Sequence, residues 1–375
     1  MNRLKKLNFI SPFNTTSYGY VGCNLLSSLA ELYPDLEIAA QCIPHKSTFS
    51  AEDKFSQIKK QTDNFEGSFF SDAPSIKIWH QFDMTGFTGR GPKIGFPIFE
   101  LNKFTDTEKR NLEYPDHLVV CSKWAKETVL NNIDRSPETI HVVPLGVDRS
   151  IFHDNYKNEE SSVPAPTRFM NMGKWEVRKG HDIVIKAFNQ AFPPDANVEL
   201  HMFNDNPFLK PAKTKEWHDL YLKGPLSSKI HFGKRLLNQA AVYNNMKLMD
   251  CGVFPSRAEG WNLEILEMMS CGKHIITTDV TGHTEFCDQY NSSLIYPDCM
   301  ETAFDGQFFY GQGEWYTIED EHVDQIAEFM YYDIHIPKQE NKLKQNKEGI
   351  KTAKQFTWEH SAKKLYDTLN SILEK

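Results

Sequence analysis

Short apolar runs alternate with stretches of helical spacing along this chain. In the first half, the apolar runs predict strands at 7–10, 76–80, 93–99, 117–121 and 140–143. Four leucines within 24–32 have the three- and four-residue spacing of a helix. Two further helices are predicted at 105–112, where Thr105 and Glu108 form a capping box, and at 123–131 behind Ser122.

The pattern restarts after a polar, Pro-containing stretch at 149–166, which reads as a linker. Strands are predicted at 168–172, 198–203, 230–232, 252–254 and 274–277, and helices at 180–191, 238–246 and 263–271. Strands that alternate with helices favour parallel sheets covered on both faces. The predicted fold class is therefore α/β, with two Rossmann-like domains facing a central cleft.

We place the two domains at 1–150 and 165–355. A last helix, predicted at 359–373, carries Leu365, Leu369 and Leu373 four residues apart. An apolar stripe of this kind needs a surface to cover. We expect the segment 356–375 to cross back and pack on the first domain.

The amino-acid composition excludes only a few classes of function. The chain has 375 residues, 40% of them hydrophobic and 25% charged, and a net charge of −8. The acidic balance counts against a general nucleic-acid binder. Seven scattered cysteines form no C-x-x-C pair, which is typical of a reduced, intracellular protein, and no apolar run is long enough to span a bilayer. We therefore expect a cytoplasmic protein.

Two glutamates in the segment 254–272 are the strongest chemical signal. Glu259 follows a predicted strand, and Glu267 lies seven intervening residues later inside a mostly apolar helix that Asn262 is predicted to cap. A free charge there would be costly unless a polar ligand group binds it. The helix N-terminus between the two carboxylates is itself a site for an anion.

A second loop, 172–180, joins a predicted strand to a predicted helix. Gly173 and Gly180 permit tight turns, and Lys174, Arg178 and Lys179 bring three cations to the start of that helix. Cations at a helix N-terminus oppose the helix dipole, so their presence suggests a bound anion. A solvated basic loop is an equally good interpretation of this segment alone.

The first half offers weaker candidates. Gly19 and Gly22 lie in a predicted loop after the first strand, where they form a turn or let a phosphate or sugar approach the backbone. Their spacing does not match the dinucleotide fingerprint. His80 and Glu100 each end a predicted strand, so the sequence leaves open a cleft-facing role and a purely structural one for both.

These segments together resemble one family. The sequences G-K-W-E-V-R-K-G-H, I-H-F-G-K and F-P-S-R-A-E-G-W-N-L-E-I-L-E-M-M-S-C-G, in this order, are similar to the second half of family 4 glycosyltransferases, which have the GT-B fold and an E-x7-E motif. L-V-V-C-S-K-W-A-K-E and F-T-W-E-H-S-A-K-K-L resemble other parts of that family. The resemblance covers roughly residues 115–375. Many members have Gly at the position of Asn262.

The resemblance implies a retaining enzyme that uses a UDP- or GDP-linked sugar as co-substrate, with no essential metal and no other cofactor. It implies that Lys174 and Lys179 hold the diphosphate, that Glu259 contacts the sugar hydroxyls and that Glu267 binds the ribose. The remaining donor-site residues would be Gly19, Gly173, Gly233, Gly260, Asn262 and Leu263. His80 would act at the reacting centre, with Glu100 and Asp83 as further candidates on the acceptor side.

Other functions stay open at this point. A nucleotide-sugar epimerase and a non-catalytic nucleotide-sugar-binding subunit would share this fold. The acceptor is a saccharide or lipid-linked sugar by default, or a hydroxymethylated DNA base if the protein is phage-encoded and works in the host cytoplasm. A local basic face for such DNA would be formed by Lys54, Lys59, Lys60, Arg90, Lys93, Lys103, Lys109 and Arg110. The sequence predicts no oligomeric state.

Overall fold

The computed structural model describes residues 4–43, 58, 67–156, 165–206, 208–234, 236 and 238–374. The chain forms two compact units. The first, unit 1, comprises Met1–Gly146 and Phe356–Lys375, and the second, unit 2, comprises Val147–Gln355.

Unit 1 is built on a six-stranded parallel sheet with the order β2-β1-β3-β4-β5-β6. Its strands are β1 Lys6–Ser11, β2 Glu37–Cys42, β3 Ser75–His80, β4 Lys93–Ile98, β5 His117–Val120 and β6 Ile140–Val142. Its helices are α1 Ser17–Leu32, α2 Asp106–Glu113, α3 Lys123–Asn132 and, from the end of the chain, α11 Trp358–Leu373. The predicted capping box of Thr105 and Glu108 and the predicted Ser122 cap are both present.

Helix α1 corrects one prediction. It begins at Ser17, so Gly19 and Gly22 lie inside its first two turns and not in a loop. A Cβ on Gly19 would collide with Asn14, and one on Gly22 would collide with Ser11. Glycines commonly mark loops and turns in a sequence. Here they let helix α1 pack directly against the chain that leaves β1.

The last helix packs within unit 1, as the sequence predicts. The rings of Tyr33, the C-cap residue of α1, and Tyr366 on α11 stack with centroids 3.6 Å apart. Tyr20 meets Trp358 edge to face at 5.9 Å. The predicted stripe is buried at Leu365 and Leu369. This contact ties α11 to α1.

Unit 2 contains a second six-stranded parallel sheet with the order β12-β11-β10-β7-β8-β9. Its strands are β7 Thr167–Gly173, β8 Val198–Asn204, β9 Ile230–Phe232, β10 Cys251–Phe254, β11 His274–Thr278 and β12 Ser293–Ile295. An antiparallel pair follows, β13 Met300–Phe304 and β14 Tyr310–Tyr316.

The helices of unit 2 cover this sheet. They are α4 His181–Ala191, α5 Pro211–Tyr221, α6 Gln239–Met246, α7 Leu263–Ser270, α8 Asp320–Glu328, α9 Ile336–Gln339 and α10 Lys347–Gln355. A π-helical segment, Phe329–His335, joins α8 to α9. Within the described residues, no helix is long and apolar enough to cross a membrane.

Candidate functional site

Two loops of unit 2 meet at one edge of its sheet. The loop 174–180 leaves β7, and the loop 255–262 leaves β10, which is the parallel neighbour of β7. Parallel neighbours end at the same edge, so the topology brings the two loops together. The structure thereby joins Lys179 of the first loop to Glu259 of the second, which the sequence had placed 80 residues apart.

The Glu259 carboxylate is bound by several donors. Its Oε1 lies 2.8 Å from Lys179 Nζ and accepts a hydrogen bond from Ser256 Oγ at 2.7 Å. Its Oε2 accepts from Arg178 Nη1 at 2.9 Å. Glu259 is only 4% exposed. Burial alone would raise the pKa of this carboxyl, but Lys179 and Arg178 outweigh burial and hold its pKa below the usual range. Glu259 is therefore ionised.

The same cluster continues through a second carboxylate. Arg178 Nη2 donates to Glu176 Oε2 at 2.8 Å, and Lys174 Nζ lies 2.9 Å from Glu176 Oε1. Lys174, Glu176, Arg178, Glu259 and Lys179 thus form a chain of alternating charge. The three cations are not uncompensated at a helix start, as the sequence had suggested, because two buried carboxylates of the protein itself pair with them.

The side chains of Lys174 and Lys179 differ in their exposure to solvent. Lys179 is buried, which by itself would lower its pKa, but Glu259 and Glu264 raise the pKa above its usual value, so the ammonium stays charged. The side chain of Lys174 is 42% exposed. Lys174 is therefore the cation of this cluster that reaches solvent most readily.

Helix α7 begins at Leu263, as the sequence predicts, but its N-cap residue is unusual. Asn262 occupies the N-cap position, but its side chain makes no capping hydrogen bond. Its backbone is left-handed, with φ +73° and ψ +79°, a conformation that Asn tolerates better than most residues. The Nδ2 group instead lies 3.4 Å from Glu259 Oε1. The predicted N-cap position of Asn262 is confirmed, but its side chain bonds to Glu259 and does not cap the helix.

Glu267 lies in the middle of α7 and is 5% exposed. Among the described residues, none forms a hydrogen bond or ion pair with its carboxyl group. Burial first, and the neighbouring charge of Glu264 second, raise the pKa of Glu267 well above its usual value. The predicted placement of a carboxyl in an apolar helix is confirmed, and the group is available for a ligand with hydrogen-bond donors.

A third loop supports Glu259 and has no counterpart among the predicted site residues. Thr281 has a φ of +54°, which is rare for a β-branched residue, and its Oγ1 accepts the Glu259 N–H at 2.7 Å. The Gly282 N–H donates to the Glu259 carbonyl at 2.9 Å, and a Cβ on Gly282 would collide with Gly260. The Thr-Gly pair shortly after the predicted strand 274–277 was the available signal.

Gly180, which the sequence predicts as a turn residue, and two glycines of the predicted donor site, Gly173 and Gly233, have structural reasons of their own. Gly180 has a φ of +69°, and a Cβ there would collide with the Pro255 carbonyl. Gly173 has a φ of +138° and lies against the Lys179 side chain. A Cβ on Gly233 would collide with the ring of Phe203. The predicted contacts of Gly173 and Gly233 with a donor stay predictions.

The candidates of unit 1 lie near the ends of β3 and β4. His80 is the last residue of β3, and its Nδ1 lies 2.9 Å from the Tyr18 hydroxyl. Asp83 forms an ion pair with Lys77 at 2.9 Å. Glu100 does not end a strand, because β4 stops at Ile98. Their roles on the acceptor side stay predictions.

The residues of the predicted basic face do not all fall within the described part of the chain. Lys54, Lys59 and Lys60 lie outside it. Of the others, Arg90 pairs with Asp72 at 2.9 Å and Lys93 lies over the ring of Tyr114.

Solved structures with the same architecture cover nearly the whole chain. HepE from Anabaena, in complex with UDP-glucose, matches 98% of this chain and 99% of its own at a TM-score of 0.66 and 15% identity. Sucrose-phosphate synthase from Thermosynechococcus elongatus matches 99% of both chains at a TM-score of 0.68 and 13% identity. The fold is GT-B.

Two sequence comparisons also find similarity to glycosyltransferases. Residues 166–305 match the family described as glycosyl transferases group 1. The D-inositol 3-phosphate glycosyltransferase of Jonesia denitrificans is 23% identical over 237 residues, which are 60% of this chain. The alignment spans about half the length of that curated relative. Both matches support the GT-B assignment made from the structure.

Proposed function

We propose that this protein is a retaining glycosyltransferase that moves a hexose or pentose from a nucleotide-diphosphate sugar to a hydroxyl group. The match of residues 166–305 to the group 1 glycosyltransferases supports the reaction class. HepE, a structural neighbour over 98% of the chain, was solved with UDP-glucose, which supports a nucleotide sugar as donor. A GDP-linked sugar is the other donor to be tested.

The observation that carries this proposal is the carboxyl group of Glu267. It is almost fully buried, and no described residue satisfies its hydrogen-bonding capacity. Leaving such a group unpaired is costly, and a ligand with two adjacent hydroxyls offsets that cost. The ribose of a nucleotide sugar is such a ligand. We therefore assign the ribose to Glu267.

The rest of the donor follows along the start of α7. The backbone N–H groups of Asn262 and Leu263 are at the N-terminus of this helix, where a diphosphate is stabilised. The exposed Lys174 supplies a mobile cation for the same group, and Lys179 a fixed one. Glu259 holds Lys179 and Arg178 in place by its ion pairs and presents its remaining hydrogen-bonding capacity to the donor sugar.

The chemistry depends on charge that develops as the nucleotide diphosphate leaves. The anomeric carbon becomes cationic while the diphosphate gains negative charge. Prearranged cations and N–H groups stabilise that negative charge without a metal ion. Retention then arises from attack on the face that the diphosphate leaves, with a diphosphate oxygen taking the proton of the acceptor hydroxyl. A saccharide or a lipid-linked sugar is the proposed acceptor.

Donor binding is the direct test. The purified protein is incubated with a panel of UDP- and GDP-linked sugars, and thermal stabilisation, binding by calorimetry and slow hydrolysis of the donor are measured with and without EDTA. We expect one donor to stabilise the protein equally in both conditions. The absence of a response to every donor would overturn the proposal, and a response abolished by EDTA would overturn metal independence.

A variant pair tests the ribose assignment. Glu267→Ala removes the buried carboxyl and should weaken donor binding by about tenfold or more. Glu328→Ala removes an exposed glutamate at the end of α8 and should leave binding unchanged. Equal donor affinity in the two variants would show that Glu267 does not hold the ribose. Conversion of the donor sugar without any acceptor would instead indicate an epimerase.

A further inference from the structure

Glu264 adds a carboxylate to the start of helix α7. It lies in the first turn of this helix, between Glu259 and Glu267 in the chain. Its Oε2 is 4.0 Å from Lys179 Nζ, which is too long for a hydrogen bond, so the two groups interact through their charges alone. Lys179 has a closer partner in Glu259, whose Oε1 lies 2.8 Å from the same nitrogen.

Glu264 differs from the other carboxylates of this cluster in its surroundings. The side chains of Glu176 and Glu259 are at most 5% exposed, and both lie within 2.9 Å of the Arg178 guanidinium. The Glu264 side chain is 23% exposed. Removing its charge leaves Lys179 paired with Glu259, so the balance of buried charge does not explain its position. A first-turn glutamate does interact favourably with the helix dipole, and this contribution to stability is separable from an effect on a ligand.

The charged cluster around Lys179 is neutral as a whole. It contains three cations and three carboxylates, which are Lys174, Arg178, Lys179, Glu176, Glu259 and Glu264. Without Glu264 the same cluster would carry one positive charge. Glu264 therefore weakens the attraction of this cluster for an anion.

The distance from Glu264 to a phosphate bound by Lys179 has an upper limit. A phosphate oxygen that accepts a hydrogen bond from Lys179 Nζ lies about 2.8 Å from it. Since Glu264 Oε2 is 4.0 Å from the same nitrogen, the two oxygens can be at most about 7 Å apart. This distance is shorter than the Debye length of about 8 Å at physiological ionic strength, so salt screens their repulsion only in part.

A nucleotide-sugar donor and the nucleoside diphosphate that remains after transfer differ by one charge. The diphosphate of the donor carries two negative charges. When the bond between the sugar and the diphosphate breaks, the terminal phosphate takes the proton of the acceptor hydroxyl. Above about pH 6 it releases that proton and gains a third negative charge. A nearby carboxylate therefore repels the product more strongly than the donor.

We propose that Glu264 is a specificity-determining residue that lowers the affinity of the site for the nucleoside diphosphate product more than its affinity for the nucleotide-sugar donor. Glu264 thereby limits inhibition by the product. This inference rests on the proposed glycosyltransferase function and on the assignment of the diphosphate to Lys179.

Calorimetry with three ligands tests the inference. Binding of UDP-glucose, UDP and uridine to the wild type and to Glu264→Gln is measured at about pH 8, or binding of a GDP-linked sugar, GDP and guanosine if only that series binds. The variant should bind both diphosphates more tightly, and its gain in affinity for the product should exceed its gain for the donor about threefold or more. The nucleoside has no phosphate and should bind both proteins equally.

Two further variants serve as controls. Glu264→Ala removes the charge without introducing an amide and should change the three affinities in the same way. Glu348→Gln is the matched control, because Glu348 also lies in the first turn of a helix of unit 2 and pairs with a lysine, Lys351, at 3.2 Å. Its side chain is exposed, and all three affinities should stay at the wild-type level.

The possible outcomes separate this inference from the proposed function. If product and donor gained affinity equally in the Glu264 variants, or if neither gained, Glu264 would not discriminate between them. A similar gain for the nucleoside would show that the variants change the shape of the site and not its charge, which would also overturn the inference. If the wild type bound neither a nucleotide sugar nor a nucleoside diphosphate, the proposed function itself would fail.

Discussion

The guanidinium of Arg178 and the carboxylate of Glu259 form a buried ion pair at 2.9 Å, and both side chains are at most 5% exposed. Lys179 and Glu176 complete the local balance of charge. A pair of this kind does not need to add stability compared with apolar side chains, but breaking it from one side leaves a charge buried without compensation. The cluster is therefore sensitive to the loss of either carboxylate.

Glu259→Gln should strongly destabilise unit 2. The substitution keeps the shape of the side chain and removes the charge that faces Arg178 and Lys179. We expect a decrease of about 3–5 kcal/mol in the free energy of unfolding, measured by chemical denaturation.

An exposed pair serves as the control for this measurement. Asp219→Asn breaks the surface pair with Lys215 on α5 and should cost less than about 0.5 kcal/mol. If the two variants lost the same small amount of stability, the Glu259 cluster would contribute no more than a surface ion pair.

Glu267 should make stability depend on pH in the opposite sense from a paired carboxylate. Its pKa is raised in the folded protein above the usual 4.5, so above about pH 4.5 the native state retains a proton that the unfolded chain has released. The free energy of unfolding therefore falls as the pH rises above that value. Glu267→Gln removes the titrating carboxyl group and with it this pH dependence. Relative to the wild type, the variant should therefore be stabilised more at about pH 8 than at about pH 5.

The measurement is the unfolding midpoint of wild type and variant across that range. Glu328→Gln, at an exposed position, should show a difference that does not change with pH. A constant difference for Glu267→Gln as well would mean that the Glu267 pKa is not raised by burial.

The sequence predicted the parallel-sheet elements well where apolar runs were bounded by clear turns. It missed β2, Glu37–Cys42, because two of its buried residues are alanines, which have low strand propensity. It missed α5, whose residues are mostly polar and, at 211–220, partly or fully exposed, so no apolar stripe marks it. The local sequence pattern does not predict a strand or helix whose buried positions are not occupied by strongly apolar residues.

The site was predicted in part for a similar reason. Glu259, Glu267 and Lys179 could be named because each lies in an unusual local sequence. The partner of Lys179 could not, since an ion pair between loops 80 residues apart depends on the pairing of β7 with β10. The support from Thr281 depends on a backbone angle that a β-branched residue rarely adopts.

Asn262 should tolerate glycine better than alanine. Its φ of +73° lies in the region where a Cβ is unfavourable, and glycine has none. We expect Asn262→Ala to lower the free energy of unfolding by about 1–2 kcal/mol more than Asn262→Gly does, as measured by chemical denaturation. If both variants lost the same free energy of unfolding, Asn262 would stabilise the protein through its side-chain contact with Glu259 and not through its backbone conformation.

Gly146 should resist substitution although its φ is not positive. A Cβ at this position would collide with the backbone between Thr357 and Trp358, where α11 begins. Gly146→Ala should therefore displace the start of α11 and cost about 1–3 kcal/mol in thermal or chemical unfolding. Ser371→Ala, on the exposed side of the same helix, should be nearly neutral. If Gly146→Ala left stability unchanged, Gly146 and the start of α11 would be farther apart than they are in this structure.

The packing of α11 on α1 also determines an order of events during synthesis. Unit 1 takes its last helix from residues that leave the ribosome after all of unit 2. Residues 147–355 can therefore reach their native state while the α1 surface that will receive α11 is still uncovered. Closing a contact between residues more than 300 positions apart is slow, so completion of unit 1 is expected to be the late step in folding. Until then Tyr20 and Tyr33 remain exposed to chaperones and to other nascent chains.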